Sequence, residues 1–203
     1  MPLYSSMPVV IIAGGKGIRI GGDKPQRMLA GKTLLDHAIG KAAAFSSHFA
    51  IAANRDGVSS LPRDCFFLVD QIDDAGPISG LTSALKHGAD HGAEHVMTIS
   101  CDTPFLPPDL LSKLYDSVGN TNVAVAKSGN RLHPACALWR TEVLGSLSDY
   151  LEQNRRSLTG FAEAIGYVEV EWPIERLDPF FNINTTDDLV RAEQIFANMH
   201  RQD

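Results

Sequence analysis

The fold is decided by Val9-Val10-Ile11-Ile12-Ala13-Gly14-Gly15-Lys16-Gly17-Ile18-Arg19-Ile20-Gly21-Gly22-Asp23-Lys24, an apolar run that leads into a glycine-rich segment. A short apolar run before such a segment is typical of a buried strand that ends in a ligand-binding loop. Glycines let the backbone approach a ligand closely, and Lys16, Arg19 and Lys24 add positive charge. The segment therefore predicts a phosphate-binding loop after a first strand, Val9 to Ala13.

Two common phosphate-binding motifs do not match this loop. The dinucleotide fingerprint needs a third glycine where Ile20 stands, and the Walker motif of Gly31-Lys32-Thr33 needs a glycine where Gln26 stands. What remains is a longer loop that wraps a nucleoside triphosphate. The alternative is a flexible turn with stray surface cations, but the order strand, loop, helix favours phosphate binding.

Composition narrows the class of protein. A chain of 203 residues with 44% hydrophobic residues suits one globular domain, residues 1–203. A net charge of -6 without a basic stripe disfavours nucleic acid as a partner. Three scattered cysteines, Cys65, Cys101 and Cys136, predict a reducing cytoplasmic location. No apolar run approaches the ~20 residues of a membrane span, so we expect no membrane partner.

Short apolar runs alternate with longer amphipathic stretches, which is the pattern of βα units and an α/β fold. The alternation of apolar and acidic residues after Tyr167 predicts a half-exposed strand, and an antiparallel pair in the C-terminal half, so the sheet should be mixed but mostly parallel. The predicted strands are Val9 to Ala13, Phe49 to Ala53, Phe66 to Asp70, Val96 to Ser100, Val123 to Ala126, Ala135 to Trp139, Tyr167 to Glu171 and Phe180 to Asn184.

Four helices carry recognisable start signals. Thr33-Leu34-Leu35-Asp36 resembles a capping box that opens a helix towards Phe45, and Thr185-Thr186-Asp187-Asp188 repeats the device before the last helix. Helices are also predicted over Pro77 to Lys86 and Pro108 to Val118, each with proline in its first turn. One face of the last helix should carry Leu189, Ala192, Phe196 and Met199.

An acidic residue, Asp102, follows the strand that ends at Ser100. In open α/β sheets ligands bind beyond the carboxyl ends of the strands, so this carboxylate should share an edge with the glycine-rich loop. It can bind Mg²⁺ there, because Mg²⁺ takes one or two protein carboxylates and completes its shell with phosphate and water. The alternative is a residue that caps the turn before Pro104.

Further polar residues fall near the same predicted edge. Asn54 and Asp70 follow the second and third strands and suit nucleobase or ribose recognition, or else form local turns. Gly80 lies in a first helical turn, where it permits close approach of a ligand. Asn182 and Asn184 occupy alternate positions of a predicted strand, on one face; the alternative, favoured by spacing alone, is that Asn184 caps the last helix and Asn182 is a satisfied edge amide.

A regular histidine spacing does not predict a metal site. His87, His91 and His95 recur every four residues, but Gly88 and Gly92 should interrupt the helix that would align them.

The combined motifs resemble the molybdenum cofactor guanylyltransferase family, in the right order and over nearly the whole chain. The segments that carry the resemblance are Ala13-Gly14-Gly15, Gly22-Asp23-Lys24, Pro77 to Leu81, Cys101-Asp102-Thr103-Pro104-Phe105, His133-Pro134-Ala135-Cys136-Ala137-Leu138 and Phe181-Asn182-Ile183-Asn184-Thr185.

The resemblance implies a three-layer, Rossmann-like nucleotidyltransferase fold and Mg²⁺-dependent transfer of GMP from GTP to molybdenum-molybdopterin, with release of pyrophosphate. It also implies transient contacts with molybdenum-insertion proteins and molybdoenzyme chaperones. Its implied nucleotide-binding residues are Ile12, Ala13, Gly14, Lys24, Asn54, Asp70 and the metal ligand Asp102. Its implied pterin-binding residues are Arg19, Gly22, Gly80, Asn182 and Asn184.

The implied chemistry agrees with the residues present. A phosphate nucleophile is already ionised at neutral pH, so no serine, cysteine or histidine has to be activated. Catalysis then depends on positioning and on charge neutralisation by Mg²⁺, Lys24 and Arg19, with Asp102 as the metal ligand. The alternatives are a cytidylyltransferase for the same cofactor, a sugar-phosphate nucleotidyltransferase, and a non-catalytic GTP-binding regulator.

Overall fold

The computed structural model describes residues 6–13, 24–53, 66–69 and 76–199. The strands in these ranges are β1 (Val9–Ile12), β2 (Met28–Leu29), β3 (Lys32–Thr33), β4 (Phe49–Ala53), β5 (Phe66–Val69), β6 (His95–Ser100), β7 (Val123–Ser128), β8 (Arg131–Arg140) and β9 (Tyr167–Trp172). The helices there are α1 (Leu34–Phe45), α2 (Pro77–Asp90), α3 (Leu110–Val118), α4 (Leu144–Glu152), α5 (Leu158–Ile165) and α6 (Thr186–Met199). None of these helices is long and apolar enough to cross a bilayer.

The described strands, apart from the small β2-β3 hairpin, form one seven-stranded sheet in the order β5-β4-β1-β6-β8-β7-β9. Pairs β1-β4, β1-β6, β4-β5 and β7-β9 are parallel, whereas β8 runs antiparallel to both of its neighbours. The prediction of a mixed, mostly parallel α/β sheet is confirmed. The antiparallel pairs expected in the C-terminal half come from β8, while the half-exposed strand β9 pairs in parallel.

Helices cover both faces of the sheet, which explains why all four residues of β1 are buried. Val9 and Ile11 point into a core with α1 and α3, and Val10 points into the opposite core with α2, α4 and α5. A smaller third cluster joins α6 to the β2-β3 hairpin. The result is the predicted three-layer arrangement.

Both predicted capping boxes are confirmed. At α1 the Asp36 N–H donates to Thr33 Oγ1 (3.0 Å) and the Thr33 N–H donates to Asp36 Oδ2 (3.1 Å). At α6 the Asp188 N–H donates to Thr185 Oγ1 (3.1 Å) and the Thr185 N–H donates to Asp188 Oδ2 (2.9 Å). Each box satisfies helix-terminal donors that would otherwise have no partner.

Two helix bounds differ from the prediction. Helix α3 begins at Leu110, so Pro108 lies in the preceding turn. Helix α2 continues to Asp90 through Gly88, which was expected to interrupt it. A Cβ on Gly88 would lie 2.7 Å from Thr141 Cγ2, so close packing selects glycine there and tertiary contacts override its low helix propensity. On α6 the expected apolar face is shorter than predicted, because Met199 is 52% exposed.

The strand predicted over 180–184 is wrong: these residues form a loop. Phe180 and Ile183 are fully buried, and a spacing of three does not match the two-residue period of a strand. The Phe180 N–H donates to Asp178 Oδ1 (2.9 Å), which turns the chain at the start of the loop. We call residues 180–184 the 180–184 loop.

Candidate functional site at the switch point of the sheet

The order of the parallel strands reverses between β1 and β6. After β1 the chain adds β4 and β5 on one side, and it then returns to place β6 on the other side of β1. Such a reversal leaves a crevice at the carboxyl ends of the two central strands, which is where open α/β sheets bind ligands. The end of β1 leads into the glycine-rich segment, and the end of β6 leads into Asp102.

Lys24 joins two distant parts of the chain at this crevice. It lies in one turn of 3₁₀ helix, Lys24–Gln26, and its Nζ donates to Asp102 Oδ2 (2.5 Å) and to Asn184 Oδ1 (2.8 Å). The Lys24 and Asp102 side chains are both 12% exposed. A nearly buried ammonium held by a carboxylate and an amide is a cation whose position at the end of the central strands is fixed by charge-assisted hydrogen bonds.

Asp102 is held by contacts that fix its orientation. Ser100 Oγ donates to Asp102 Oδ1 (2.6 Å), and the Asp102 carbonyl oxygen accepts from the Ile183 N–H (3.0 Å). Ser100 was not predicted as a site residue. The signal was present, because a polar residue at the last position of a buried strand lies two residues before the acid. The predicted juxtaposition of strand-end acid and loop lysine is therefore observed.

Ile12 and Gly80 contribute close packing beside the crevice. The Ile12 carbonyl accepts from the Cys101 N–H (3.3 Å), and the Ala13 N–H donates to the Ala52 carbonyl (2.9 Å), so these backbone groups are hydrogen-bonded to neighbouring strands. A Cβ on Gly80 would lie 2.9 Å from Ile12 Cγ2. Gly80 thus allows the first turn of α2 to rest directly on the end of β1.

Asn182 and Asn184 do not share a strand face. Asn184 reaches Lys24, whereas the Oδ1 atom of Asn182 is buried and, within the described residues, has no hydrogen-bond partner. The alternative for these residues also differs from the structure: Thr185 rather than Asn184 caps α6, and Asn182 Oδ1 has no hydrogen-bond partner within the described residues.

Five predicted site residues lie outside the described residues, namely Gly14, Arg19, Gly22, Asn54 and Asp70.

Two cysteines near the crevice are not placed to act as nucleophiles. Cys101 and Cys136 are buried, and this burial raises the pKa of each thiol to about 12. Only a thiolate attacks, so both thiols are inert at neutral pH.

The histidine series is divided between two elements. The His87 and His91 rings lie 4.3 Å apart at the end of α2, and His95 is buried in β6. Among the described residues no group of three or more His, Cys, Asp or Glu could hold a metal ion.

The model of the MobA-like NTP transferase domain matches residues 9–165, which include β1, Lys24 and Asp102. The chain belongs to the MobA-like NTP transferase family. It is a nucleotidyltransferase, as the resemblance implied.

Relatives agree with this assignment. The molybdenum cofactor guanylyltransferase of Bradyrhizobium sp. (strain ORS 278) is 34% identical over 200 residues, which cover 95% of this chain and 94% of that protein. The enzyme of the same name from Rhodopseudomonas palustris (strain HaA2) is 36% identical over 196 residues, 92% of this chain and 90% of that protein. The structure of molybdopterin-guanine dinucleotide biosynthesis protein A from Archaeoglobus fulgidus is 27% identical, with a TM-score of 0.78, and covers 95% of this chain and 100% of that chain.

The side chains in the crevice are of the kinds that nucleotidyl transfer requires. A nucleotidyltransferase needs cationic groups for a polyphosphate and an acid for a divalent cation, and Lys24 and Asp102 are side chains of these two kinds. Their mutual contact keeps both charges compensated in the absence of ligand.

Proposed function

We propose that this chain transfers GMP from GTP to molybdenum-molybdopterin, forming molybdopterin guanine dinucleotide and pyrophosphate. The observation that carries the proposal is the contact of Lys24 with Asp102 and Asn184 at the switch point. It joins a cation suited to polyphosphate and a strand-end acid to a loop that the resemblance assigns to the pterin. The names of the relatives favour this donor and this acceptor.

In the proposed reaction, a terminal phosphate oxygen of the acceptor attacks the α-phosphorus of GTP. A bond forms between that oxygen and the α-phosphorus, and the bond from the α-phosphorus to the bridging oxygen breaks. The electron pair leaves with pyrophosphate. The nucleophile is already an anion, so no protein group has to remove a proton. Lys24 would exchange Asp102 for phosphate oxygens and neutralise negative charge there.

The donor atoms near Lys24 fit Mg²⁺. Asp102 offers a carboxylate whose two oxygens lie beside Lys24 Nζ and Ser100 Oγ. Such hard oxygen donors suit Mg²⁺, which keeps several of its positions for phosphate and water. When bound, Mg²⁺ would supply further charge neutralisation at the phosphates. We propose Asp102 as its protein ligand, held in place by Ser100.

Selectivity for guanine is assigned by the proposal to Asn54 and Asp70, with backbone contacts from Ile12, Ala13 and Gly14. Arg19 and Gly22 are proposed for the pterin side, together with Gly80, Asn182 and Asn184.

A transfer assay tests the proposal directly. Purified protein is incubated with molybdenum-molybdopterin, Mg²⁺ and one of GTP, CTP, ATP or UTP, and pyrophosphate and the dinucleotide are both quantified. We expect product only, or by far fastest, with GTP. Preferential use of CTP would instead identify a cytidylyltransferase. Binding of GTP without any pyrophosphate release would identify a non-catalytic GTP-binding protein.

The two asparagines allow the nucleotide and acceptor contributions to be separated. Asn182→Ala should weaken acceptor binding and leave GTP affinity almost unchanged, because among the described residues the Asn182 Oδ1 atom accepts no hydrogen bond from Lys24. Asn184→Ala should weaken both, because it also releases the Lys24 ammonium. Calorimetric titration of each variant with GTP and with molybdopterin measures the difference. Equal losses for both ligands in Asn182→Ala would remove it from the pterin side.

A further inference from the structure

The 180–184 loop is held against the crevice at three points. Phe180 is buried at its start, the Ile183 N–H donates to the Asp102 carbonyl oxygen (3.0 Å), and Asn184 Oδ1 accepts from Lys24 (2.8 Å). Asn182 lies between the first two of these points. Its position therefore depends on how firmly Phe180 is fixed.

Phe180 is fixed by two rings. His133 stacks on it with the ring centroids 4.7 Å apart and the planes inclined by 18°, and Trp172 contacts it edge-on at 5.4 Å. All three residues are less than a tenth exposed. The flat face of Phe180 is thus covered by a histidine that is otherwise remote in sequence.

An irregularity in β8 brings His133 to this position. Ala126 of β7 pairs with His133, while the preceding residue, Val125, pairs with Ala137. Residues 134–136 have no counterpart on β7 and form a bulge, which bends a strand and redirects its side chains. Because β8 runs against β6, this end of β8 lies at the same edge as the end of β6.

Burying a histidine ring costs free energy unless its nitrogen atoms are hydrogen-bonded. His133 Nε2 lies 2.8 Å from Ser128 Oγ, which is itself buried. Burial lowers the pKa of His133 to about 4; nearby Asp178 opposes this shift and Arg131 adds to it. The ring is therefore neutral at physiological pH, with a hydrogen bond that fixes its plane. An aliphatic residue would fill the space without defining a plane.

We propose that His133 is a positioning residue for the acceptor: its flat ring, stacked on Phe180, fixes Phe180 and so determines where the 180–184 loop presents Asn182 and Asn184. This inference rests on the proposed function, in which that loop binds the pterin. His133 touches none of the reacting groups in this account and acts only through Phe180.

Two double variants separate the contribution of the flat ring from that of the Ser128–His133 hydrogen bond. Ser128→Ala with His133→Phe removes both polar groups and keeps a ring, and Ser128→Ala with His133→Leu removes the ring as well. Because Ser128→Ala removes the buried hydroxyl together with its histidine partner, neither variant buries an unpaired polar group, and both should fold. A control is Phe161→Leu, which disturbs another stacked pair, Trp139–Phe161, in the core on the opposite face of the sheet.

We expect the leucine variant to raise the KM for the acceptor about two- to twelvefold, the range that follows from the energy of one aromatic pair, with kcat and the KM for GTP unchanged. The phenylalanine variant should restore the wild-type KM. Phe161→Leu should lower the melting temperature without changing the acceptor KM. An acceptor KM that is equal in the two double variants, or a matching rise in the KM for GTP, would overturn the assignment.

Hydrogen exchange of the Ile183 N–H gives a readout that does not depend on activity. Exchange should be faster in the leucine variant and near the wild-type rate in the phenylalanine variant and in Phe161→Leu. Unchanged exchange in the leucine variant would also overturn the proposal. If the wild-type protein transferred no nucleotide, the proposed function would fail, and this exchange rate would still decide whether His133 fixes the loop.

Discussion

Asp102 and the 180–184 loop both present an oxygen atom to Lys24, but they are supported in different ways. Asp102 follows β6, a buried strand paired on both sides, and is oriented by Ser100. Within the described residues the 180–184 loop has no partner strand and is held by the buried side chains of Phe180 and Ile183 and by one backbone hydrogen bond, from the Ile183 N–H to the Asp102 carbonyl oxygen. The difference separates two tasks. In the proposed function, the charge chemistry lies at the end of a sheet strand, and recognition of the acceptor lies on a loop, the kind of segment that varies most between related proteins.

The largest effect on the transfer rate should come from Asp102, at the end of the sheet strand β6; we call this part of the site the rigid side and the 180–184 loop the loop side. Asp102→Asn should lower the transfer rate at least about 100-fold, because it removes the charge proposed to hold Mg²⁺. The fold should persist, as checked by circular dichroism and a melting curve beside the pyrophosphate assay. Asp90→Asn is the matched control, since Asp90 also pairs with a lysine, Lys86, but in the last turn of α2, and it should keep full turnover. Near-normal turnover of folded Asp102→Asn would show that the acid is not a metal ligand.

A pH-dependent effect should come from the loop side. The folded-state pKa of His133, about 4, lies below its usual value of 6.5, so the unfolded chain binds the extra proton as pH falls. The free energy of unfolding should therefore drop by up to about 3 kcal/mol between pH 6.5 and pH 4 because of this residue. Urea titrations at several pH values measure it against the Ser128→Ala, His133→Phe variant, which should lack this part of the loss. If the free energy of unfolding depended on pH in the same way in the two proteins, His133 would not be held neutral in the folded state.

Close packing on the rigid side gives the next effect. Gly80→Ala should lower the free energy of unfolding by about 1–3 kcal/mol, because the new Cβ would meet the buried side chain of Ile12. Gly40→Ala is the control: it lies within α1, where an added Cβ meets no described atom within 4 Å, and should stabilise by about 0.5–1 kcal/mol. Chemical denaturation of both variants decides the point. A neutral Gly80→Ala would leave close approach of a ligand as the better reason for this glycine.

The smallest effect compares two helix caps. Thr185→Ala and Thr33→Ala should each lower the free energy of unfolding by about 1 kcal/mol, since each removes one capping acceptor. Only Thr185→Ala should also raise the acceptor KM, because Thr185 directly follows Asn184. The comparison needs one melting series and one kinetic series. If both variants raised the acceptor KM alike, the loop would not be the specific acceptor element.

The sequence predicted the rigid side well, for physical reasons. Continuous apolar runs such as Val9–Ile12 mark strands buried on both faces, and the carboxyl ends of such strands meet at one edge. Hence the meeting of Asp102 with Lys24 could be anticipated from order along the chain alone. Capping boxes are local devices, and both were located correctly.

The loop side was predicted poorly, because its structure depends on contacts between distant segments. Phe180 to Asn184 has the composition of a strand, but the rings of His133 and Trp172 and the carbonyl of Asp102 provide its contacts. No local pattern links those residues. Gly88 was misjudged in the same way, since the packing against Thr141 that selects it is also tertiary.

The two buried cysteines make it possible to measure how often the crevice opens. Cys101 immediately precedes Asp102, and Cys136 Sγ lies 3.8 Å from Thr103 Oγ1, so both thiols are sealed beside the site. An alkylating reagent can reach them only when this part of the sheet opens. The rate of alkylation at each thiol, resolved by peptide mass, therefore reports how often the crevice opens. A ligand that closes the crevice should lower this rate.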